Sequence, residues 1–103
     1  MEFVITTVGK REDAENMAEN LVKNGLSPCV NIIEDHESVY MWKGDIVHEK
    51  EYILLIKTQN REIISDHLKN AHPYDVPEII SFHGEIDSNE YEQWFNAYFN
   101  RKS

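Results

Sequence analysis

The sequence has little of what several classes of protein require. Its 103 residues contain one cysteine, Cys29, so no disulfide can form within the chain and a reducing compartment is expected. No apolar run approaches the roughly 20 residues that a membrane-spanning helix needs. A basic segment followed by an apolar run, the mark of a signal peptide, is also missing. We therefore expect a cytoplasmic protein that does not enter a membrane.

Basic residues are scarce as well. Lysine and arginine together number 10 against 19 acidic residues, which gives a formal net charge of −9 at pH 7. Nucleic acids and anionic membranes bind basic surfaces, so neither is expected as a partner. The negative charge would attract cations, although only as a diffuse field.

Sequence signatures of catalysis are missing too. The chain has no glycine-rich phosphate loop and neither the GxSxG nor the HExxH pattern. A lone cysteine needs a positioned base before it can act as a nucleophile, and Cys29 with a histidine elsewhere is too little to indicate one. We expect that the protein is not an enzyme and that it requires no cofactor.

The residues that are present form alternating β-rich and amphipathic segments, in a length that suits one domain, 1–103. Residues 2–8 predict a strand. A helix follows, because apolar residues recur at helical spacing and Gly25 can close it. Residues 28–58 predict one long hairpin, with its turn at 43–45 and a bulge near 34–37. The apolar positions of the helix are Ala14, Met17, Ala18, Leu21 and Val22.

A second helix is predicted from a cap at Asn60 to Pro73, which stops it. A fourth strand follows at residues 78–82, and Asp87, with a glutamate three residues later, resembles a capping box that starts a third helix. The order β-α-β-β-α-β predicts an α+β, ferredoxin-like sandwich with a C-terminal helix. The aromatic face of that last helix consists of Tyr91, Trp94, Phe95, Tyr98 and Phe99.

Two segments conflict with a sheet that is covered on one face only. A half-covered antiparallel strand alternates apolar and polar residues, whereas residues 53–56 are Ile-Leu-Leu-Ile and residues 3–5 are Phe-Val-Ile. Both faces therefore need cover, and the long hairpin has edges that need pairing. We expect other copies of the chain to provide both. The alternative is that the last helix covers the second face by itself.

Residues 72–80, with the sequence His-Pro-Tyr-Asp-Val-Pro-Glu-Ile-Ile, form the junction between the second helix and the fourth strand. Pro73 ends the helix, and Pro77 is better placed at the start of a strand than inside one. The junction therefore collects an imidazole, a phenol and carboxylates in a few residues. Junctions of this kind commonly carry function.

The same junction belongs to a wider signature, by which the chain resembles the CutA family of divalent-cation tolerance proteins. The matching segments are Cys29-Val30-Asn31-Ile32, Ser38-Val39-Tyr40-Met41-Trp42-Lys43-Gly44, residues 51–58 ending in Ile56-Lys57-Thr58, residues 72–80, and Tyr91 with Trp94. The resemblance covers nearly the whole chain. It implies a ferredoxin-like fold assembled into a tight homotrimer, similar in architecture to the PII signalling proteins. It also implies a cytoplasmic role in tolerance of divalent metals, especially copper, with no established reaction.

His72 is the first candidate metal ligand, because imidazole binds copper and zinc readily; in the last helical turn it can instead favour the helix end. In some family members, copper is linked to a cysteine at the position of Thr6 and to histidines at those of Ala71 and His72. Only His72 matches that set. Cys29 is a candidate soft ligand, with a small buried apolar role as its alternative. Solvated surface charge is the preferred interpretation for His36, His48 and His83.

Trp42, Lys57, Tyr74 and Glu78, together with Tyr40, are candidates to line a cleft between neighbouring subunits that binds a small polar ligand. The alternative for the two hairpin aromatics is packing between subunits. One predicted function is a homotrimer that binds or responds to divalent ions such as copper. The other is a PII-like sensor of a small metabolite or nucleotide. A trimeric scaffold that binds another protein is a third interpretation.

Overall fold

Seven elements make up the described part of the chain, which is residues 1–100 of a computed structural model. They are β1 (Glu2–Val8), α1 (Arg11–Lys23), β2 (Cys29–Trp42), β3 (Asp45–Thr58), α2 (Arg61–Ala71), β4 (Ile80–His83) and α3 (Asn89–Phe99). The predicted order of strands and helices is confirmed. No helix in that range is long and apolar enough to cross a membrane. The predicted domain extends to residue 103, and its last three residues lie outside the described part.

The four strands form one antiparallel sheet in the order β2-β3-β1-β4. Strands β1 and β3 are central, so β2 and β4 form the two edges. Helix α1 connects β1 to β2, and helix α2 connects β3 to β4, which is the split βαβ arrangement. The predicted α+β, ferredoxin-like fold is therefore confirmed.

Strands β2 and β3 form a hairpin of 14 residues on each side, twice the seven residues of β1. Its two-residue turn has φ angles of 50° at Lys43 and 86° at Gly44, as a type I′ turn requires. The register of the two strands shifts between Ile33 and His36, and Asp35 there has a φ of 56°. The bulge predicted near residues 34–37 is thus present.

The hydrophobic core lies between helices α1 and α2 and one face of the sheet. Side chains alternate along a strand, so Val4 and Val8 of β1 and Leu54 and Ile56 of β3 point toward the helices and are fully buried. Helix residues complete the core: Ala14, Met17, Leu21, Ile64 and Leu68. This face accounts for the helical periodicity seen in the sequence.

The opposite side of the sheet, which we call the open face, is covered by the chain itself only in part. It carries Phe3, Ile5 and Thr7 of β1, Ile53, Leu55 and Lys57 of β3, Cys29 and Ile33 of β2, and Ile80 and Phe82 of β4. Ile33, Ile80 and Phe82 are 46%, 53% and 43% exposed. The expectation that other copies cover this face stays a prediction.

Helix α3 does not close over the open face. It contacts that face at Lys57, whose Nζ lies 3.4 Å from the Tyr91 hydroxyl, and it reaches α1, where the Tyr98 hydroxyl donates to the carbonyl oxygen of Val22 at 2.6 Å. Phe95 is buried, whereas Trp94 is 51% exposed and does not belong to the core of the single chain. The alternative in which the last helix covers the second sheet face by itself is therefore wrong.

Two predicted boundaries are wrong by one or two residues. Helix α3 is capped by Ser88 and not by Asp87, because the Ser88 hydroxyl accepts from the backbone N–H of Tyr91 at 3.3 Å. Strand β4 begins at Ile80 and not at residue 78, since its pairing with β1 ends at the Ile5–Ile80 pair. The residues before Ile80 lie beyond this pairing and belong to the loop that builds the candidate site.

Candidate functional site

The candidate site begins where the edge of β1 loses its strand partner. Strand β4 pairs with β1 only at residues 2–5, so backbone groups farther along that edge need other partners. The imidazole of His72, at the C-cap of α2, meets this need: its Nε2 lies 3.0 Å from the carbonyl oxygen of Thr7. The loop that follows α2 is thereby fixed beside the end of β1.

The hydrogen bonds of His72 define its protonation. The backbone N–H of Tyr74 donates to Nδ1 at 3.0 Å, so Nδ1 is an acceptor. Nε2 must then carry the proton that is donated to Thr7. The ring is neutral in this arrangement, and burial lowers the pKa of His72 below its ordinary value.

These bonds bear directly on the predicted metal site at His72. A metal binds the lone pair of a ring nitrogen, but the lone pair of Nδ1 is used by Tyr74 and Nε2 holds a proton. Coordination would therefore break one of the two bonds that hold the loop. In this arrangement His72 positions the loop, and Tyr74 is the residue that it places, with the two rings in edge contact at 5.0 Å.

Tyr74 reaches from this loop to two carboxylates on β3. Its hydroxyl donates to Glu51 Oε2 at 2.9 Å and lies 3.4 Å from Glu49 Oε1. Glu51 is only 7% exposed although it is a carboxylate. Burial, and then the hydrogen bond to Glu51, raise the pKa of the Tyr74 hydroxyl, so it stays a proton donor.

A second tyrosine binds the same acidic pair from the hairpin. The hydroxyl of Tyr40 donates to Glu49 Oε2 at 2.5 Å, and this hydrogen bond raises the pKa of Tyr40. Two phenols on different parts of the chain therefore hold Glu49 and Glu51 side by side. Charge-assisted hydrogen bonds of this kind are stronger than those between neutral groups.

Around these residues lies a groove of about 800 Å³, which we call the acidic groove. Its charged side chains are all acidic: Glu49, Glu51, Asp75 and Glu78. Its other lining residues are Thr7, Ser38, Val39, Tyr40, Trp42, Tyr74 and Val76. Within residues 1–100, the ion pairs are those of Arg11, His48 and His83, and none of them involves Glu49 or Glu51.

The predicted cleft is brought together in part. Trp42, Tyr74 and Glu78 line the acidic groove, as does Tyr40. Lys57 does not, because it lies six residues beyond Glu51 on the same strand, a separation of about 20 Å at strand rise. The prediction placed Lys57 in a cleft between neighbouring subunits, and it stays a prediction.

Lys57 lies instead beside the second metal-ligand candidate. Its Nζ is 3.9 Å from Sγ of Cys29 and 3.4 Å from the hydroxyl of Tyr91. The thiol is partly buried and has an ammonium, not another metal ligand, as its side-chain neighbour. Residues 1–100 contain no group of three or more His, Cys, Asp and Glu placed to hold a metal ion.

Glu49 and Glu51 are the site residues that sequence reasoning missed. They are two residues apart on a strand, so their side chains share a face, here that of Thr7 and Ile53. This spacing was visible in the His-Glu-Lys-Glu run. What could not be read was the burial of Glu51, which depends on Tyr74, 23 residues farther along the chain.

Comparison with known proteins identifies a family and agrees with the fold. The family model described as "CutA1 divalent ion tolerance protein" matches residues 2–98. The divalent-cation tolerance protein CutA of Thermus thermophilus is 37% identical over 95 residues, which are 90% of this chain and 92% of that protein. The chloroplastic protein CutA of Arabidopsis thaliana is 38% identical over 93 residues, 88% of this chain but only 51% of that longer protein.

A solved structure gives the same answer in three dimensions. The crystal structure of CutA1 from Pyrococcus horikoshii superposes with a TM-score of 0.89 at 33% identity, covering 95% of this chain and 97% of that one. The names of the family and of these relatives state tolerance of divalent ions and no reaction. From the family match, the identities and the superposition, the chain belongs to the CutA1 family of divalent ion tolerance proteins.

Proposed function

We propose that this protein is a cytoplasmic homotrimer, without enzymatic activity, that contributes to tolerance of divalent metal ions by binding them, copper among them. The family name and the names of the relatives support the link to divalent cations. The single observation that carries the proposal is the acidic groove, in which Glu49 and Glu51 lie together without a cation from residues 1–100.

The chemistry of the groove suits weak binding of a divalent ion. Carboxylate oxygens accept hard and borderline divalent ions, and copper also accepts imidazole. The two carboxylates both approach the Tyr74 hydroxyl, within 2.9 and 3.4 Å, so one ion could reach both. His36 is opposite Glu51 in the register of β2 and β3. Water or groups from another copy would complete the coordination shell.

The open face supports the homotrimer. Natural proteins rarely leave apolar sheet faces and long strand edges uncovered, and here Ile33, Ile80 and Phe82 are exposed together with the hairpin residues Met41 and Ile46. The two edges, β2 and β4, are different strands. Contacts between unlike surfaces close into a ring when the rotation allows, and the resemblance to CutA implies three copies.

Calorimetric titration with Cu²⁺ tests the metal proposal. Cu²⁺ uptake by Glu49→Gln and by Glu51→Gln should each be lower than uptake by the wild-type trimer, because each substitution removes one charged oxygen donor. Cys29→Ala, at a ligand predicted from the sequence, should leave it unchanged. Undiminished uptake by the double glutamine variant would overturn the proposed site. Light scattering checks the assembly, and a monomer mass would overturn the homotrimer.

A small-molecule sensor is a second candidate, favoured by the size and lining of the same groove. A volume of about 800 Å³ is in the range of ligand pockets, and the indole of Trp42 is 51% exposed within it. A thermal-shift screen of metabolites and nucleotides should then find a ligand whose effect is lost in Trp42→Ala. Trp94→Ala is the matched control, because Trp94 has the same exposure outside the groove. Equal loss in both variants would count against binding in the groove.

A further inference from the structure

The acidic groove and Lys57 lie on the same side of the sheet, and among residues 1–100 each lacks a partner of opposite charge. Glu49 and Glu51 have no cationic partner among residues 1–100, and Lys57 has no anionic one in that range. Lys57 points to the open face, as do Thr7 and Ile53, which lie beside the groove. Each surface therefore carries the charge that the other lacks.

Lys57 is set apart from the other basic residues by its position. Within residues 1–100, it is the only lysine or arginine that β1, β2, β3 or β4 directs to the open face. Lys50, the other lysine on β3, pairs with Glu37 in the register and points to the opposite side. The Lys57 ammonium is partly buried between Cys29 and the ring of Tyr91, 5.7 Å from the ring centre.

The two surfaces cannot meet within one chain. Lys57 and Glu51 are separated by six residues of a continuous strand, about 20 Å at the rise of a β-strand. The strand pairs with β1 without a shift over residues 52–58, so it cannot fold back. Any contact between this ammonium and the acidic groove has to form between two copies.

We propose that, in the assembled protein, Lys57 of one copy docks into the acidic groove of its neighbour and pairs with Glu49 and Glu51. The contact is between unlike surfaces, so it repeats head to tail and closes a ring. It covers part of the open face and completes the groove with a residue that the single chain cannot supply. A divalent ion entering the groove would compete with this ammonium for the same carboxylates. The inference rests on the homotrimer proposed above.

A double-mutant cycle tests the contact, using Lys57→Met, Glu51→Gln and the double variant, with trimer dissociation followed by ultracentrifugation in a guanidinium series. Removal of one partner should raise the apparent dissociation constant by about 10-fold or more, as for other close interfacial charge pairs. The double variant should be little weaker than either single variant, because both remove the same contact. If the fold increases in the dissociation constant that the two single substitutions cause multiply in the double variant, the contact is refuted.

Lys50→Met combined with Glu51→Gln is the matched control, since Lys50 is adjacent to Glu51 in sequence but lies on the other face. The fold increases in the dissociation constant from these two substitutions should multiply. If the protein is a trimer and the effects of Lys57→Met and Glu51→Gln on its dissociation constant multiply, the contact is refuted and the proposed function is not. A wild-type monomer would refute both.

Cross-linking gives a second measurement that does not depend on interface strength. Because Cys29 lies 3.9 Å from the Lys57 ammonium, docking of Lys57 brings a thiol close to the neighbour's groove. The variant Glu49→Cys, oxidised with diamide, should give covalent oligomers on a denaturing gel without reductant. The same variant with Cys29→Ser should not. An intact trimer of Glu49→Cys that fails to cross-link would contradict the contact.

Discussion

The hydrogen bond from Tyr74 to Glu51 predicts a difference between two tyrosines that make the same kind of contact. Each donates its hydroxyl to a glutamate, Tyr74 to Glu51 at 2.9 Å and Tyr40 to Glu49 at 2.5 Å. The environments differ, because Glu51 is 7% exposed and Tyr40 is 39% exposed. Burial should therefore decide the energetic cost of losing the hydroxyl, even though the shorter bond is the exposed one.

The expected magnitudes follow from solvation. In Tyr74→Phe the Glu51 carboxylate stays buried and loses a hydrogen bond to a charged group, which costs about 2 kcal/mol of unfolding free energy. In Tyr40→Phe, water can replace the hydroxyl at Glu49, so the cost should be much smaller than in Tyr74→Phe.

The assay is guanidinium unfolding of the variants at one fixed subunit concentration, because association shifts apparent stability. The hydrogen bond to Glu51 is supported if Tyr74→Phe alone lowers the midpoint substantially. Equal losses for Tyr74→Phe and Tyr40→Phe would refute the reasoning, since burial would then not set the cost.

Three further predictions concern the residues around the site and the sheet. Because the pKa of His72 is lowered in the folded protein, its contribution to stability is complete above pH of about 6.5 and is lost as the pH falls through that lowered pKa. The unfolding free energy measured from pH 7 to 5 should therefore fall less steeply in His72→Asn than in the wild type. Parallel pH dependences of the two proteins would refute this. Thr6→Val should stabilise by about 1 kcal/mol, because the Thr6 hydroxyl is buried without a partner, whereas Thr58→Val should destabilise, since that hydroxyl binds two backbone groups; equal thermal melting shifts would contradict the assignment. Gly84→Ala should destabilise by about 1–3 kcal/mol, because its Cβ would lie 2.2 Å from the Phe3 ring; unchanged chemical denaturation would show that the ring yields freely.

Much of the fold could be predicted because local signals agreed with the final structure. Asn60 caps α2 by accepting from two backbone N–H groups, as the residue type predicted. The turn at Lys43 and Gly44 was also recognisable from glycine. The sequence predicted Asp87 as the cap of α3, whereas the structure has Ser88. Two adjacent residues are both good caps here, and only the backbone decides between them.

The candidate site was predicted less completely than the fold. Trp42, Tyr74 and Glu78 were identified and do share one groove. Lys57 does not line the groove of the single chain, and its predicted place in a cleft between subunits stays a prediction. Both ring nitrogens of His72 are engaged by backbone groups, a fact that no spacing of residues in the sequence could reveal.

The sequence by itself determined the order of elements, the face of α1 that enters the core, and the excess of apolar residues on the sheet. These follow from periodicity and turn chemistry, which act over a few neighbouring residues. Only the tertiary structure decided that Glu51 is buried under Tyr74 and that Lys57 has no acidic partner among residues 1–100. Burial and charge pairing depend on residues that are distant in sequence, so they are settled by how the strands and the loop after α2 come together.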